Sequence, residues 1–313
     1  MKDRYKREIS YMRISLTDRC NFRCLYCMPA DGIEKCSHDD IISLEEVEKI
    51  VRAAATLGIK KIRLTGGEPL VRKGIVSLCE KISKIPGIEE ICLTTNGALF
   101  KDYAKALKEA GVGRVNFSLD TLDPEKFKKI SRGGDLKQTL AAIDEAISLG
   151  FKVKINAVLI GGFNIDDIEK LVDYTKDHDI QVRFIELMKM GQTINWDQKN
   201  FVSNNIVLEK LPDLEEVKTD GVAKVYKMPG HKGTVGLISP ISSCFCQDCN
   251  RIRLTADGKL KPCLHSNKEI SLKGLDGDDL LAALKEGIYD KDKSHHLVDG
   301  TTDTKRFMNT IGG

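Results

Sequence analysis

Between residues 12 and 186 the hydrophobic pattern switches six times from a two-residue to a 3.6-residue period. Met12-Arg13-Ile14-Ser15-Leu16 alternates as a strand does, and runs near 60–65, 90–94, 114–119, 151–160 and 181–186 read the same way. Between them lie helical stretches near 47–57, 73–84, 100–110, 123–130, 136–149 and from Asn164 to about 178. Ser43-Leu44-Glu45-Glu46 is a capping box that opens the first helix, and Gly58, Gly111 and Gly150 close three of them. Strands joined through helices by short loops lie parallel with right-handed connections. Six units instead of eight predict an α/β fold of the incomplete (β/α)6 TIM-like barrel kind.

The pattern changes near residue 190. Residues 196–211 are mixed and partly helical, 216–227 and 233–238 read as antiparallel strands, and Asp257-Gly258 joins 251–255 and 259–263 as a hairpin. A last helix is expected near 277–286. The expected division is therefore 1–190 for the partial barrel and 191–313 for an α+β region closing its lateral opening.

A net charge of +3 on 313 residues gives no argument for nucleic acid or membrane as a partner. Met1-Lys2-Asp3-Arg4 is followed by no apolar leader and no 18-residue apolar run occurs, so a cytoplasmic protein is expected. In that compartment ten cysteines read as metal ligands or reactive groups before disulfides. Six fall in two tight groups; Cys36, Cys79 and Cys92 stand singly and Cys244 borders the second group.

Cys20-Asn21-Phe22-Arg23-Cys24-Leu25-Tyr26-Cys27 follows the first strand directly. Three thiolates leave one iron of a four-iron cluster open, because such a cluster takes four ligands. A zinc site would more often use Cys-x2-Cys pairs. This C-x3-C-x2-C trio, with an aromatic before its last cysteine, resembles the radical S-adenosylmethionine (SAM) superfamily. Five features fall at expected strand ends, where α/β barrels keep their reactive groups: the cysteine trio, Gly66-Gly67-Glu68-Pro69, Thr94-Thr95-Asn96, Ser118-Leu119-Asp120 and Glu186-Leu187-Met188. By the resemblance, the glycine pair with Glu68 nearby meets the SAM ammonium. Tyr26, Gly67, Ser118 and Met188 line the SAM pocket.

Cys246, Cys249 and Cys263 form a second trio, and the Asp257-Gly258 hairpin folds Cys263 back toward the other two. From spacing alone this set suits structural zinc, with Cys244 or His265 as fourth ligand, as well as a cluster. Together with Cys-x2-Cys-Asn-Arg-Ile-Arg, Arg13–Cys20, Thr94–Gly97, Arg183–Glu186 and the terminal Gly312-Gly313, it resembles the GTP 3',8-cyclase family over nearly the whole chain. That resemblance implies two [4Fe-4S] clusters, on Cys20/Cys24/Cys27 and on Cys246/Cys249/Cys263, the second with an open iron facing guanine. Cys244 departs from the pattern as one thiol more than the trio needs.

No phosphate-binding glycine loop is present, so side chains must meet the triphosphate of GTP. The family's contacts match Arg13, Arg63, Thr94, Lys154, Arg251 and Arg253, the last two facing one side of a strand. The implied reaction is that of a lyase. SAM is cleaved to a 5'-deoxyadenosyl radical, hydrogen is taken from C3' of the ribose, and C3' attacks C8 of guanine to give 3',8-cyclo-7,8-dihydro-GTP. Catalysis would rest on Cys20, Cys24, Cys27, Arg251 and Arg253, in the first step of molybdenum cofactor biosynthesis. The resemblance further implies a low-potential electron donor and a downstream cyclic pyranopterin monophosphate synthase, and admits a homodimer. Rival readings are a peptide maturase-like radical SAM enzyme with an auxiliary cluster and a non-catalytic iron–sulfur or zinc protein. The apolar stretch 307–311 suits anchoring of the tail, so that Gly312-Gly313 would enter the cavity and help order the arginines.

Overall fold

Met12 and Ile14 are fully buried against helices, whereas Tyr11 and Arg13 face the other side of the same strand. The neighbouring strands repeat this two-sidedness, which sets the whole architecture. The computed structural model describes residues 1–33, 37, 40–295, 297 and 302–312, so Cys36 and Gly313 lie outside the described residues.

The elements run β1 (Tyr11–Ser15), α1 (Leu44–Thr56), β2 (Lys61–Thr65), α2 (Ile75–Ser83), β3 (Glu90–Thr95), α3 (Phe100–Glu109) and β4 (Val112–Ser118). Next come α4 (Pro124–Ser131), α5 (Leu136–Ser148), β5 (Lys152–Leu159), α6 (Ile168–Asp173) and β6 (Gln181–Glu186). Then follow α7 (Asn205–Lys210), β7 (Glu215–Asp220), β8 (Ala223–Lys227), β9 (Thr234–Ile238), β10 (Arg251–Leu254), β11 (Lys259–Lys261), β12 (Ile270–Ser271) and α8 (Gly277–Tyr289). Ser43 caps α1 through the complete capping box: its hydroxyl accepts from Glu46 N–H, and the Glu46 carboxylate accepts from Ser43 N–H.

All twelve strands form one open sheet in the order β12-β11-β10-β1-β2-β3-β4-β5-β6-β9-β8-β7. Strands β10, β1 to β6 and β9 are parallel throughout. The first six βα units therefore make the partial barrel that the alternation predicts. The C-terminal residues extend its sheet at both edges, β10 beside β1 and β9 beside β6. The main core lies between the sheet's apolar face and the helices, around Ile62, Leu64, Leu93, Phe117, Ile155 and Phe184.

Two local expectations are corrected. Residues 216–227 are not one strand but the hairpin β7–β8, turning at Gly221 with φ +64°. Asp220-Gly221 between two alternating runs carries the same signal as Asp257-Gly258. β9 is antiparallel to β8 but parallel to β6, so the hairpin is the free edge. The helix after Asn164 is also shorter than expected: a 3-10 turn at Ile165–Asp167 and then α6 alone.

Asn164 does not cap that helix with its side chain. Its fully buried amide instead donates to Asp120 O and Val158 O, both at 2.9 Å, and accepts from Ile160 N–H at 2.8 Å. It thus ties the ends of β4 and β5 together. Asn164→Ala leaves three buried backbone groups without partners, at about 1–3 kcal/mol each. A loss of about 3 kcal/mol or more in urea unfolding is expected; a change under about 1 kcal/mol would show that the tie contributes little.

Candidate active site

The loop carrying Cys20, Cys24 and Cys27 is fixed from three sides. The N–H groups of Gly67 and Glu68 donate to Thr17 O and Arg19 O at 2.7 and 2.8 Å. A Cβ on Gly67 would lie 2.2 Å from Arg19 O, so only glycine permits this approach. On the other flank, Arg23 N and Leu25 N donate to Ser131 O and Ile130 O at the end of α4, and Arg132 donates to Arg23 O and Met28 O. From a third side, Asn96 donates its amide to Asn21 Oδ1 at 2.8 Å.

Glu68 is the internal tie of this corner. Its buried carboxylate accepts from Asn96 N, Thr95 Oγ1 and Leu70 N at 2.8, 2.8 and 3.1 Å. Burial raises it to about 7 despite those donors. Asp120, brought by burial to about 6, accepts from Tyr26 Oη at 3.0 Å and from Val158 N–H at 2.8 Å. Tyr26 is thereby held beside the cysteines, its hydroxyl pushed well up by burial and by Asp120.

The three thiols are half-buried, and burial pushes Cys20 up to about 11 and Cys27 to about 12. Cys24 rises well above the ordinary thiol range through burial and the neighbouring Cys27. Thiols raised in this way gain from a cationic partner that favours the thiolate. Ser118 and Met188 stand at the ends of β4 and β6, on the same rim.

The sheet face turned away from the helices is polar along its length. Register places Arg253, Arg13 and Arg63 side by side on β10, β1 and β2, with Cys92 next on β3. Thr94, Asn116 and Lys154 continue on β3, β4 and β5, and Arg183 lies opposite Asn156 on β6. The expected Arg13, Arg63, Thr94, Lys154, Arg251 and Arg253 therefore share one face.

Tyr11 organises that crowd. Its ring centroid lies 5.4 Å from Lys61 Nζ, 6.0 Å from Arg63 Cζ and 5.6 Å from Arg251 Cζ. Its hydroxyl accepts from Arg63 Nε. Burial alone would raise that hydroxyl, but Arg63, Arg13 and Arg251 together bring it down to about 8. Arg13 is lowered to about 9 by burial and its cationic neighbours, and Arg253 to about 10 by burial and Arg251. Arg63 also donates to Thr94 Oγ1 at 3.2 Å.

The tail enters this face. Gly312 O accepts from Arg13 Nε at 3.1 Å and from Arg253 at 2.5 Å, and Ile311 O accepts from Arg253 at 3.2 Å. Asn309 anchors the tail by donating to Asp18 O at 2.9 Å. Gly312 has φ +67°, and a Cβ there would meet Thr65 Cγ2 at 2.7 Å.

Around the second trio, the thiol of Cys249 is pulled below its usual range. Burial opposes this, but Lys291, Arg251 and Arg7 outweigh it. The face also holds residues that the sequence reading did not single out as site groups: Tyr11, Arg114, Arg183 and Asp220. Tyr11 and Arg183 continue the two-residue period, which was the signal available. Asp220, on the β7–β8 hairpin, takes hydrogen bonds from Lys154 Nζ and, at 2.7 Å, from Arg183. Buried Arg251 Nε, Asn116 Oδ1 and Asn156 Oδ1 have no partner among the described residues.

Family comparisons give two consecutive matches: Radical SAM superfamily over residues 14–175, and Molybdenum Cofactor Synthesis C over 180–297. A GTP 3',8-cyclase of Alkaliphilus metalliredigens is 52% identical with both chains fully covered. One of Peptoclostridium acidaminophilum is 52% identical over 99% of this chain and 98% of that one. Among solved structures, Streptococcus suis SuiB bound to S-adenosylmethionine superposes with TM-score 0.69 at 17% identity, over 94% of this chain and 67% of that one. Native anSMEcpe with bound AdoMet gives 0.62 at 16% identity, over 92% of this chain and 83% of that one. At such identities the two structures speak for the fold alone.

Lys154 yields a prediction that needs only an anion as probe. Burial and Arg183 lower its ammonium to about 7, against the pull of Asp220. An anion favours the charged form, so above pH 7 binding must be accompanied by proton uptake. Tripolyphosphate affinity should fall by up to about tenfold per pH unit between 7 and 9. The Lys154→Arg variant should lose the proton taken up by Lys154, keeping only the pH dependence that Tyr11, Arg13 and the probe's own last protonation contribute. Calorimetry in two buffers of different ionisation heat measures the proton directly; equal affinity at pH 7 and 9 would refute the assignment.

Proposed function

This chain belongs to the GTP 3',8-cyclases of the radical SAM superfamily, and on that premise we propose how its own residues serve the reaction. It converts GTP to 3',8-cyclo-7,8-dihydro-GTP, the first step of molybdenum cofactor biosynthesis. When bound, the clusters and SAM supply the electron and the 5'-deoxyadenosyl radical that takes the C3' hydrogen and lets C3' close on C8 of guanine.

Cys20, Cys24 and Cys27 would hold the first cluster. The fit is chemical: three half-buried thiols with raised pKa values would gain from iron the positive charge that favours their thiolates. Tyr26, Gly67, Ser118 and Met188 would line the SAM site. An ammonium only donates, so the turn's part in meeting it falls to carbonyl oxygens, while the N–H groups of Gly67 and Glu68 hold the cysteine loop.

Cys246, Cys249 and Cys263 would hold the second cluster. The cations that pull down Cys249 suit thiolate ligation there. Arg13, Arg63, Thr94, Lys154, Arg251 and Arg253, joined by Arg183, would receive the GTP. On this reading residues 1–190 carry SAM chemistry and 191–313 add the second cluster and guanine contacts.

One observation supports the nucleotide site most: a buried guanidinium nitrogen, Arg251 Nε, and two buried amide oxygens, of Asn116 and Asn156, lack partners among the described residues on one face. Buried polar atoms are seldom left unpaired unless a ligand or water completes them. A triphosphate with a guanine and a ribose offers both the acceptors and the donors. A peptide substrate would give so dense a row of arginines less to bind. A low-potential electron donor, a downstream cyclic pyranopterin monophosphate synthase and a homodimer complete the proposal. Among the described residues no helix is long and apolar enough to cross a membrane, in keeping with a cytoplasmic setting.

The direct test is anaerobic incubation with GTP, SAM and dithionite, followed by identification of the product; SAM cleavage without cyclised GTP would overturn the reading. Arg63→Ala and Arg251→Ala should each weaken GTP binding by about 1.5–3 kcal/mol with SAM binding unchanged. Truncation before Gly312 should suppress cyclisation while sparing iron content and GTP binding. Undiminished turnover in the truncated chain would leave the tail with a packing role only.

A further inference from the structure

Two acceptors bridge Lys154 and Arg183, and they differ in charge. Gln181 Oε1 accepts from Lys154 Nζ at 2.9 Å and from Arg183 Nε at 2.6 Å. Asp220 Oδ2 accepts from the same Lys154 Nζ and, at 2.7 Å, from Arg183 Nη2. Each cation is thus met once by a neutral amide and once by a carboxylate.

Only the amide belongs to the parallel strands. Gln181 is the first residue of β6, is buried, and donates its own amide to Thr234 Oγ1 at 3.3 Å. The Arg183 stem is packed besides: a Cβ on Gly236 of β9 would lie 3.0 Å from Arg183 Cγ. Neither cation depends on the carboxylate for its place. Asp220 comes from outside, at the end of β7, where Glu215 to Thr219 are all exposed. Its side chain is 38% exposed, against 10% for Lys154 and 11% for Arg183. Burial opposes its ionisation, but Lys154 and Arg183 outweigh burial and bring the carboxyl down to about 2. A full negative charge therefore rests on two buried cations from a strand with no fully buried side chain.

We infer that Asp220 is a competing counter-ion for the substrate, occupying the place between Lys154 and Arg183 that a phosphate oxygen takes when GTP binds. This rests on the assignment of Lys154 and Arg183 to GTP proposed above. Until an anion arrives, the carboxylate offsets the mutual repulsion of Lys154, Arg183 and Arg114. A phosphate group brings more charge and more acceptor oxygens to the same donors. A polyanion at Arg183 also meets the field of Arg63 and Arg251, which the single carboxylate does not pair. Gln181, being neutral, keeps both cations in place through the exchange.

The test uses the full-length, anaerobically reconstituted protein and tripolyphosphate as probe, with calorimetry on the parent, Asp220→Asn, Asp220→Ala and Arg183→Ala. At pH 6 both Asp220 variants should bind the probe about three- to tenfold more tightly than the parent, the worth of two partly screened ion pairs. Their affinity should also fall more steeply with added KCl, because chloride then screens cations that the carboxylate had paired. Asp220 is the carboxylate that pulls Lys154 up, so its loss lowers Lys154 further. Binding at pH 7 should then take up more protons than in the parent; the probe's own protons cancel in the comparison. If the Asp220 variants bind no more tightly than the parent, or more weakly, the carboxylate orders the cations instead of competing, and the inference is overturned. Arg183→Ala tells this apart from failure of the site. With Arg183→Ala weakened and Asp220→Asn unimproved, the counter-ion role alone falls. With Arg183→Ala binding as tightly as the parent, no anion reaches these cations, and the inference falls together with the assignment of this end to GTP.

Discussion

The structure turns on a crowd of like charges held out of water. Arg13, Arg63, Lys154, Arg183, Arg251 and Arg253 share one face of a parallel sheet, and burial with mutual repulsion holds Arg13, Lys154, Arg183 and Arg253 below their ordinary pKa values. A parallel sheet ordinarily buries apolar residues on both faces. Here one face does so and the other cannot, which leaves a polar interior where a closed barrel would have an apolar core. The chain's own groups relieve the crowding: the Tyr11 ring and hydroxyl, the Asp220 carboxylate and the carbonyls of Ile311 and Gly312.

The two cysteine sites differ in their electrostatics, and that difference follows from where the chain places them. The first trio sits at strand ends behind Glu68 and Asp120, both raised by burial, so its thiols have carboxyl groups for neighbours. The second trio adjoins Arg251, Lys291 and Arg7, which favour thiolate at Cys249. One chain thus offers a site where charge must be brought in with the metal and another where it is already present.

Much of this was legible in the sequence because it rests on local rules. The period switches gave the six βα units, and the capping box at Ser43 and Glu46 formed as written. Gly66-Gly67 directly after β2 marked the close approach of Gly67 to Arg19. What escaped depends on pairing between distant segments. No local signal tells β10 to lie parallel beside β1, or β9 beside β6, and so none puts Arg253 next to Arg13. Arg7 ties Cys246 to the segment at Asp292 and Lys293 from nearly the whole length of the chain away. Asn164 looked like a helix cap because its type favours caps, but the two carbonyls and one N–H left by the ends of β4 and β5 claimed its amide instead.

The tail shows why neutral groups suit this face better than carboxylates. An acidic side chain between Arg13 and Arg253 would form a strong ion pair there and would have to be displaced, at high cost, by any anionic substrate. Backbone carbonyls satisfy the same guanidinium donors with half the charge-assisted partner and remain compatible with a phosphate or purine acceptor nearby. Reaching them requires a backbone without side chains: Gly312 adopts φ +67° and passes so close to Thr65 that a methyl group would collide. The cavity therefore selects glycine at that position by sterics and a carbonyl by electrostatics. Asp220 does use a carboxylate, toward Lys154 and Arg183, but it does so from the edge hairpin β7–β8 and not from the parallel strands.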